Sequence, residues 1–294
     1  MKVFYIGKFL NYWNTENYVA YALQQNNIEV VKRFFTCTGT LFSYTEQIEK
    51  ANPDFVLFSK VESGCFPKLI SWCKEHHILT VCWLWDLYWG YRKQRPAQFL
   101  CDMLFTTDGG HAEEWVDHGS NHFVLRQGIH EPDHVLYPIE PIHDLAFVGS
   151  QGSTKERKSL TNWLRSRYGT SIKWYSTTRG LDLNRVLAST KIVVGASHPL
   201  PNYWSNRVYE ILGRGGFLLF PETVGLEEEF TDGVHYVSYK RNNFGALEQT
   251  ISHYLQDHAK REQIRLQGFD KSLEYTYTTR VAKLLQSIGQ PSKP

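Results

Sequence analysis

The chain has 294 residues, of which 42% are hydrophobic and 21% are charged, and its formal net charge is +2. This composition excludes a disordered protein, and the length suits two domains of ordinary size. The net charge is too small to require a nucleic-acid partner and does not exclude one.

Strand-like and helix-like segments alternate through the N-terminal half. The predicted strands are Lys2–Ile6, Glu29–Phe34, Asp54–Phe58, Leu79–Trp83, Met103–Thr106 and Phe123–Leu125. The predicted helices are Glu16–Gln25, Pro67–His76, one before Met103, and Gly109–His118. Apolar strands separated by helices indicate a parallel sheet that is covered on both faces.

The segment Gly128–His143 interrupts this alternation with three prolines and no sustained period, and we interpret it as a linker. The alternation then restarts. The predicted strands are Leu145–Val148, Lys173–Tyr175, Lys191–Val194 and Gly216–Phe220. The predicted helices are Lys155–Tyr168, Asp182–Ser189, Trp204–Gly213, Phe244–Asp257, Lys260–Leu273 and Thr278–Ile288.

These halves predict an α/β protein with two Rossmann-like, doubly wound domains facing a cleft, where the carboxyl ends of both sheets would bind ligands. We expect domains at residues 1–138 and 139–275, then a C-terminal helix from residue 276 and a disordered tail to residue 294. No segment is apolar for long enough to span a bilayer, so we expect no stable membrane insertion. The five cysteines form no Cys-x-x-Cys pair, which favours reduced thiols and a cytoplasmic location.

The segment Tyr203–Phe220 contains the densest set of candidate binding residues. Ser205 or Asn206 lies at a predicted helix start, where unpaired backbone N–H groups attract anions. Arg207 in the first turn can contact phosphate through two N–H groups, and Glu210 lies one turn later, where it could accept ribose hydroxyls. Taken by itself, this spacing fits an amphipathic helix with a surface Arg–Glu pair slightly better than it fits a nucleotide-binding site.

This segment resembles the C-terminal domain of glycosyltransferases related to the spore maturation protein CgeB, which are GT-B enzymes close to glycosyltransferase family 4. The resemblance rests on Arg207 to Glu210 in the helix, Arg214 to Leu218 entering a strand, and Gly225 to Phe230 in a turn. Arg214 replaces the small residue usual in the family. The match extends over about residues 145–285, and it implies that the last helix returns to the N-terminal domain.

The resemblance implies that Glu210 binds the donor ribose, that Arg207 faces the diphosphate, and that the turn at Gly225 approaches the donor. Retaining members often have a second Glu eight residues before the helix Glu, where this chain has Asn202. The turn after Val148 can also present N–H groups to phosphate, although an ordinary loop is as probable from the residues alone. The predicted donor-binding residues are Gly149, Ser150, Arg157, Asn202, Ser205, Asn206, Arg207, Glu210, Gly225, Leu226 and Glu227.

In the N-terminal half, Asp86 follows a buried strand and stands among aromatic residues. We expect burial to raise the pKa of Asp86, which would suit a general base, and an Asp is common here in the family. A helix cap or a surface ion pair explains Asp86 almost as well. The predicted acceptor-side residues are Gly7, Trp13, Trp85 and Tyr88.

The sequence therefore predicts a glycosyltransferase that uses a UDP- or GDP-sugar as co-substrate, with no cofactor and no metal ion, since no Asp-x-Asp pair is present. The acceptor stays open among a glycan, a protein, a small molecule and a hydroxymethylated DNA base. The alternatives are a non-catalytic nucleotide-sugar-binding module and a sugar-nucleotide epimerase or phosphorylase of the same fold.

Overall fold

The computed structural model describes residues 1–35, 40–59, 64–86, 100–111, 121–152 and 154–289. The chain divides into two compact units, Met1–Gln127 with Tyr277–Pro294, and Gly128–Thr276. Tyr88, the helix predicted before Met103, most of the helix predicted at 109–118 and the tail from residue 290 lie outside the described residues.

The first unit contains one parallel sheet. Its strands are β1 (Lys2–Gly7), β2 (Glu29–Phe34), β3 (Phe55–Phe58), β4 (Leu79–Leu84), β5 (Met103–Thr106) and β6 (His122–Val124). Its helices in the first half of the chain are α1 (Thr15–Gln25), α2 (Leu41–Ala51) and α3 (Phe66–Glu75). The strand order is β2-β1-β3-β4-β5-β6, so the chain reverses its direction of winding between β1 and β3. All four residues of β3 are buried, as expected for a strand covered on both faces.

The second unit contains the other parallel sheet, with strand order β11-β10-β9-β7-β8. Its strands are β7 (His143–Val148), β8 (Ile172–Tyr175), β9 (Thr190–Val194), β10 (Leu218–Pro221) and β11 (Val237–Tyr239). Its helices are α4 (Lys155–Tyr168), α5 (Gly180–Ala188), α6 (Arg207–Leu212), α7 (Phe244–Gln256) and α8 (His258–Ser272). The reversal point of this sheet lies between β7 and β9, and the two sheets confirm the predicted pair of Rossmann-like folds.

The start of the predicted linker is instead part of the second unit. Ile129 is fully buried, and its N–H donates to the carbonyl of Tyr275 at 3.0 Å. Asp133 lies in a 3-10 turn and is also buried. The interpretation of residues 128–143 as a free linker is therefore wrong at its beginning, because these residues pack against the end of the same unit.

The last helix, α9 (Tyr277–Ile288), belongs to the first unit. Tyr277, Val281 and Leu284 recur at helical spacing and are buried in the core that α1 shares with the sheet. The side chain of Arg280 adds a hydrogen bond from Nε to the carbonyl of Gln127 at 3.1 Å. Helix α9 therefore completes the same hydrophobic core that contains α1.

We expect Leu284→Ala to lower the free energy of unfolding by about 2–5 kcal/mol, because it removes a buried leucine from this core. The neighbouring exposed residue gives a control, since Lys283→Ala should change stability by less than about 0.5 kcal/mol. Urea denaturation followed by circular dichroism measures both. Equal effects of the two substitutions would contradict the packing of α9.

Candidate functional site

Arg207 lies at the reversal point of the second sheet, where α/β proteins of this kind bind ligands. Its Nε donates to the carbonyl of Val148 at 2.8 Å, and its Nη1 donates to the carbonyl of Ala196 at 3.3 Å. Val148 ends β7, and Ala196 follows the end of β9. One guanidinium therefore spans the crevice between the two strand ends.

The Gly149 turn is shaped to accept this side chain. Gly149 has φ +105°, and a Cβ atom built on it would collide with the Arg207 guanidinium. Its own N–H donates to the carbonyl of Tyr175 at 2.7 Å, so this N–H extends the sheet and does not face a ligand. The neighbouring Ser150 is exposed, and its Oγ accepts a hydrogen bond from Arg157 Nη1 at 3.1 Å.

Arg157 and Arg207 place two positive charges close together. Withdrawal from water is the larger cause and the neighbouring charge of Arg157 the next, and together they lower the pKa of Arg207 to about 10. Burial likewise lowers the pKa of Arg157, whose buried Nε has no hydrogen-bond partner among the residues that the structure describes. Within the described ranges, no carboxylate lies within ion-pair distance of either guanidinium. The arrangement is a cationic site that an anion would stabilise.

Glu210 lies on the same short helix but does not pair with Arg207. Its Oε2 accepts a hydrogen bond from Arg214 Nε at 2.8 Å. Its side chain is 17% exposed, and Oε1 has no partner in the part of the chain that the structure describes. The surface Arg–Glu pair considered from the sequence is therefore absent, and Glu210 retains one oxygen for a ligand.

Two of the predicted donor-binding segments meet at Gly225. The residue has φ +92°, and a Cβ atom there would collide with the side chain of Asn202. Glu227 Oε2 accepts the Gly225 N–H at 2.9 Å, and Leu226 is fully buried in the core. Any contact of this turn with a donor must therefore use groups other than the Gly225 N–H and the Leu226 side chain.

A buried chain of side chains, which the sequence reasoning missed, joins α6 to the same turn. Trp204 Nε1 donates to Tyr209 Oη at 2.8 Å, and Tyr209 Oη donates to Glu229 Oε2 at 2.6 Å. Ser205 Oγ donates to the carbonyl of Ala196 at 3.4 Å, while Asn206 precedes α6 without a side-chain capping bond. No local sequence signal distinguishes Glu229, because it is one of three consecutive glutamates.

The predicted acceptor-side residues that the structure describes lie at the carboxyl edge of the first sheet. Gly7 ends β1, and a Cβ atom there would collide with the side chain of Glu16. Trp85 is partly buried, and its buried Nε1 atom has no hydrogen-bond partner within the described ranges, whereas Trp13 is 38% exposed. Asp86 is exposed, so the burial expected to act on its carboxyl is absent.

In the described ranges, no three His, Cys, Asp or Glu side chains are arranged to hold a metal ion. Among the described helices, none has the length and apolar character required to cross a bilayer.

A sequence model of the family described as glycosyl transferase-like matches residues 134–286, just over half of the chain. The chain belongs to this glycosyltransferase family. The matched residues include α6, both guanidinium groups and the Gly225 turn. No curated protein sequence is significantly similar to the chain.

Solved structures of GT-B glycosyltransferases have the same fold as this glycosyltransferase. HepE of Anabaena, in complex with UDP-glucose, is 12% identical with a TM-score of 0.67, and the match covers 98% of this chain and 99% of HepE. Sucrose-phosphate synthase of Thermosynechococcus elongatus is 8% identical with a TM-score of 0.69, again over 98% and 99% of the two chains. The lipopolysaccharide galactosyltransferase WaaB is 9% identical with a TM-score of 0.60, over 98% of this chain and 100% of WaaB. The predicted GT-B fold is confirmed.

Because Gly149 approaches Arg207 closely, we expect substitutions of these two residues to have coupled effects on stability. Gly149→Ala should destabilise the protein more than Gly233→Ala does, because both glycines have positive φ but the space around Gly233 is open. Backbone strain alone costs roughly 1–2 kcal/mol. In an Arg207→Ala background, Gly149→Ala should cost no more than Gly233→Ala. Denaturation of the four variants measures the coupling, and its absence would show that Arg207 does not rest on Gly149.

Proposed function

We propose that the protein transfers a sugar from a UDP-sugar to a hydroxyl group of an acceptor, and that the second unit binds the donor. The single observation that supports this most is the pair Arg157 and Arg207, two guanidinium groups withdrawn from water at the reversal point of a Rossmann-like sheet, with no carboxylate partner among the described residues. Solved structures of HepE contain UDP and UDP-glucose as ligands, which supports UDP as the nucleotide.

The diphosphate of the donor is the anion that fits these two groups. Arg207 is held by the carbonyls of Val148 and Ala196, so its remaining N–H groups are oriented before a ligand arrives. The buried Nε of Arg157 lacks a partner in the described part of the chain, and Ser150 holds its Nη1. Charge-assisted bonds to phosphate oxygens would satisfy these donors and offset the repulsion between the two charges.

The remaining donor groups follow from the same helix. Glu210 would accept the ribose hydroxyls through Oε1, the oxygen that Arg214 does not occupy. Asn202 is held by backbone pairing of its N–H with the carbonyl of Val224 at 2.8 Å, and it would contact the donor sugar together with the Gly225 turn.

In the proposed reaction, the bond between the anomeric carbon and the diphosphate oxygen breaks, and the acceptor oxygen bonds to the same carbon. The diphosphate leaves with the bonding electron pair, and Arg157 and Arg207 stabilise the charge that develops on it. The acceptor loses a proton to a base, for which Asp86 is the proposed group. The acceptor is proposed as a glycan, a protein, a small molecule or a modified DNA base bearing a hydroxyl.

Binding of UDP tests the donor site. We expect UDP to raise the melting temperature of the wild-type protein, because it binds the folded state, and Arg157→Gln to weaken UDP binding at least about tenfold. Arg185→Gln is the matched control, since Arg185 is an exposed arginine of the same unit paired with Asp182. Calorimetric titration measures the affinities. Equal affinities of the two variants, or no binding of UDP by the wild type, would contradict the proposal.

Turnover tests the reaction class. With UDP-glucose and a panel of hydroxyl acceptors, we expect UDP to be released in proportion to a glycosylated product, as measured by mass spectrometry. Conversion of the UDP-sugar into an isomer with no UDP released would instead identify an epimerase of this fold. Binding without either product would identify a non-catalytic module.

A further inference from the structure

Arg214 holds two carboxylates at once in the interior of the second unit. The residue is 2% exposed. Its Nε donates to Glu210 Oε2 at 2.8 Å, and its Nη2 donates to Asp133 Oδ2 at 2.6 Å. The guanidinium thus connects α6, which carries Glu210, to the 3-10 turn that carries Asp133.

The third nitrogen of this guanidinium is also bound. Arg214 Nη1 donates to the side-chain oxygen of Asn184 and, at 3.0 Å, to the carbonyl of Gly180. Asn184 Nδ2 in turn donates to the carbonyl of Asp133 at 2.7 Å and to that of Val135 at 3.1 Å. With every nitrogen engaged, the planar group has one orientation, and Nε points at Glu210.

The consequence for Glu210 is that its carboxylate cannot rotate freely. Oε2 is fixed by Arg214, so the direction of Oε1 is fixed as well. The exposed fraction of the side chain rises from 1% at Arg214 to 17% at Glu210. Glu210 is therefore the open end of a buried ionic network, and Oε1 has no partner among the residues that the structure describes.

Stability alone does not explain this arrangement. A buried ionic group is rarely more stabilising than apolar side chains of the same volume, and one carboxylate already neutralises one guanidinium. Asp133, which is buried and held by Asn184, fulfils that role. The second carboxylate, Glu210, is the one that reaches the protein surface, where it is accessible for recognition of a ligand.

We infer that Arg214 is a positioning residue that makes the enzyme selective for a ribonucleotide donor, by holding Glu210 Oε1 where it accepts the vicinal ribose hydroxyls. This inference rests on the proposed function, in which the second unit binds a UDP-sugar. A site built to accept hydroxyl hydrogen bonds rejects the analogue that lacks them, because the oriented acceptor is then left unpaired. The preferred donor is thus a ribonucleoside diphosphate sugar, and a dideoxyribose analogue binds more weakly.

The test compares the affinities of UDP and 2′,3′-dideoxy-UDP by calorimetric titration. We expect the wild type to bind UDP at least about tenfold more tightly than the dideoxy analogue. Glu210→Ala should remove this preference while leaving the affinity for the analogue nearly unchanged. Arg214→Met should reduce the preference at least threefold, although its unpaired carboxylates risk a loss of folding.

Arg214→Lys keeps the buried positive charge and so guards against unfolding, but an ammonium lacks the planar fork that reaches both carboxylates. We expect a folded protein, shown by its melting curve, with a ribose preference reduced at least threefold. Arg265→Lys is the matched control. Arg265 pairs with Glu262 and the carbonyl of Gly215 in the same unit, and its substitution should leave the preference unchanged.

A double-substitution experiment separates positioning from a general structural effect. In the Glu210→Ala background, Arg214→Lys should not weaken UDP binding further, since the group that it positions is gone. A structural role would weaken UDP and the dideoxy analogue equally, in both backgrounds, and would overturn the inference. An unchanged ribose preference in folded Arg214→Lys would overturn it too. Wild-type protein that binds both nucleotides equally refutes the inference and the ribose contact of Glu210 but leaves the diphosphate site in place, whereas wild-type protein that binds neither refutes the proposed function as well.

Discussion

A positive charge held away from water at a sheet reversal point is the constraint on which the rest of the second unit depends. The pKa of Arg207 is lowered because its guanidinium is desolvated and lies near Arg157, so the folded chain stabilises this charge incompletely. Two carbonyls at the ends of neighbouring strands and a glycine without a side chain keep the group in place. The energetic cost of orienting the charge is met during folding, and an anion that binds there needs little rearrangement.

The short helix α6 carries three residues whose side chains make contacts with three different parts of the second unit. A helix of six residues is not stable by itself, so its position depends on what its side chains contact. Arg207 reaches the strand ends, Tyr209 reaches Glu229 in the turn after Gly225, and Glu210 reaches Arg214. Each of these bonds fixes the helix in a different direction. The groups of the proposed donor site are therefore located by tertiary contacts and not by helix propensity.

Helix and strand bounds that depend on local sequence patterns were predicted correctly. Features that depend on contacts between residues distant in the sequence were not. The bounds of α4 and of the strands at residues 29–34 and 103–106 agree with prediction, because apolar periodicity is a local signal. The strand β11 was missed because it has three residues and is recognisable only by its pairing with β10. The bond between Arg214 and Asp133 joins residues 81 positions apart, and no local pattern reports it.

The distribution of charge also bears on the proposed chemistry. The groups placed on the leaving diphosphate are withdrawn from water, which strengthens their electrostatic effect, whereas Asp86 on the acceptor side is exposed and screened. A carboxylate in water is a weak base toward an alcohol. In the proposed reaction, the main contribution of the protein is therefore the stabilisation of the departing diphosphate, and deprotonation of the acceptor becomes easier as its oxygen bonds to the anomeric carbon. Because the acceptor needs no strong base of its own, acceptors of different chemistry could be served by the same donor site.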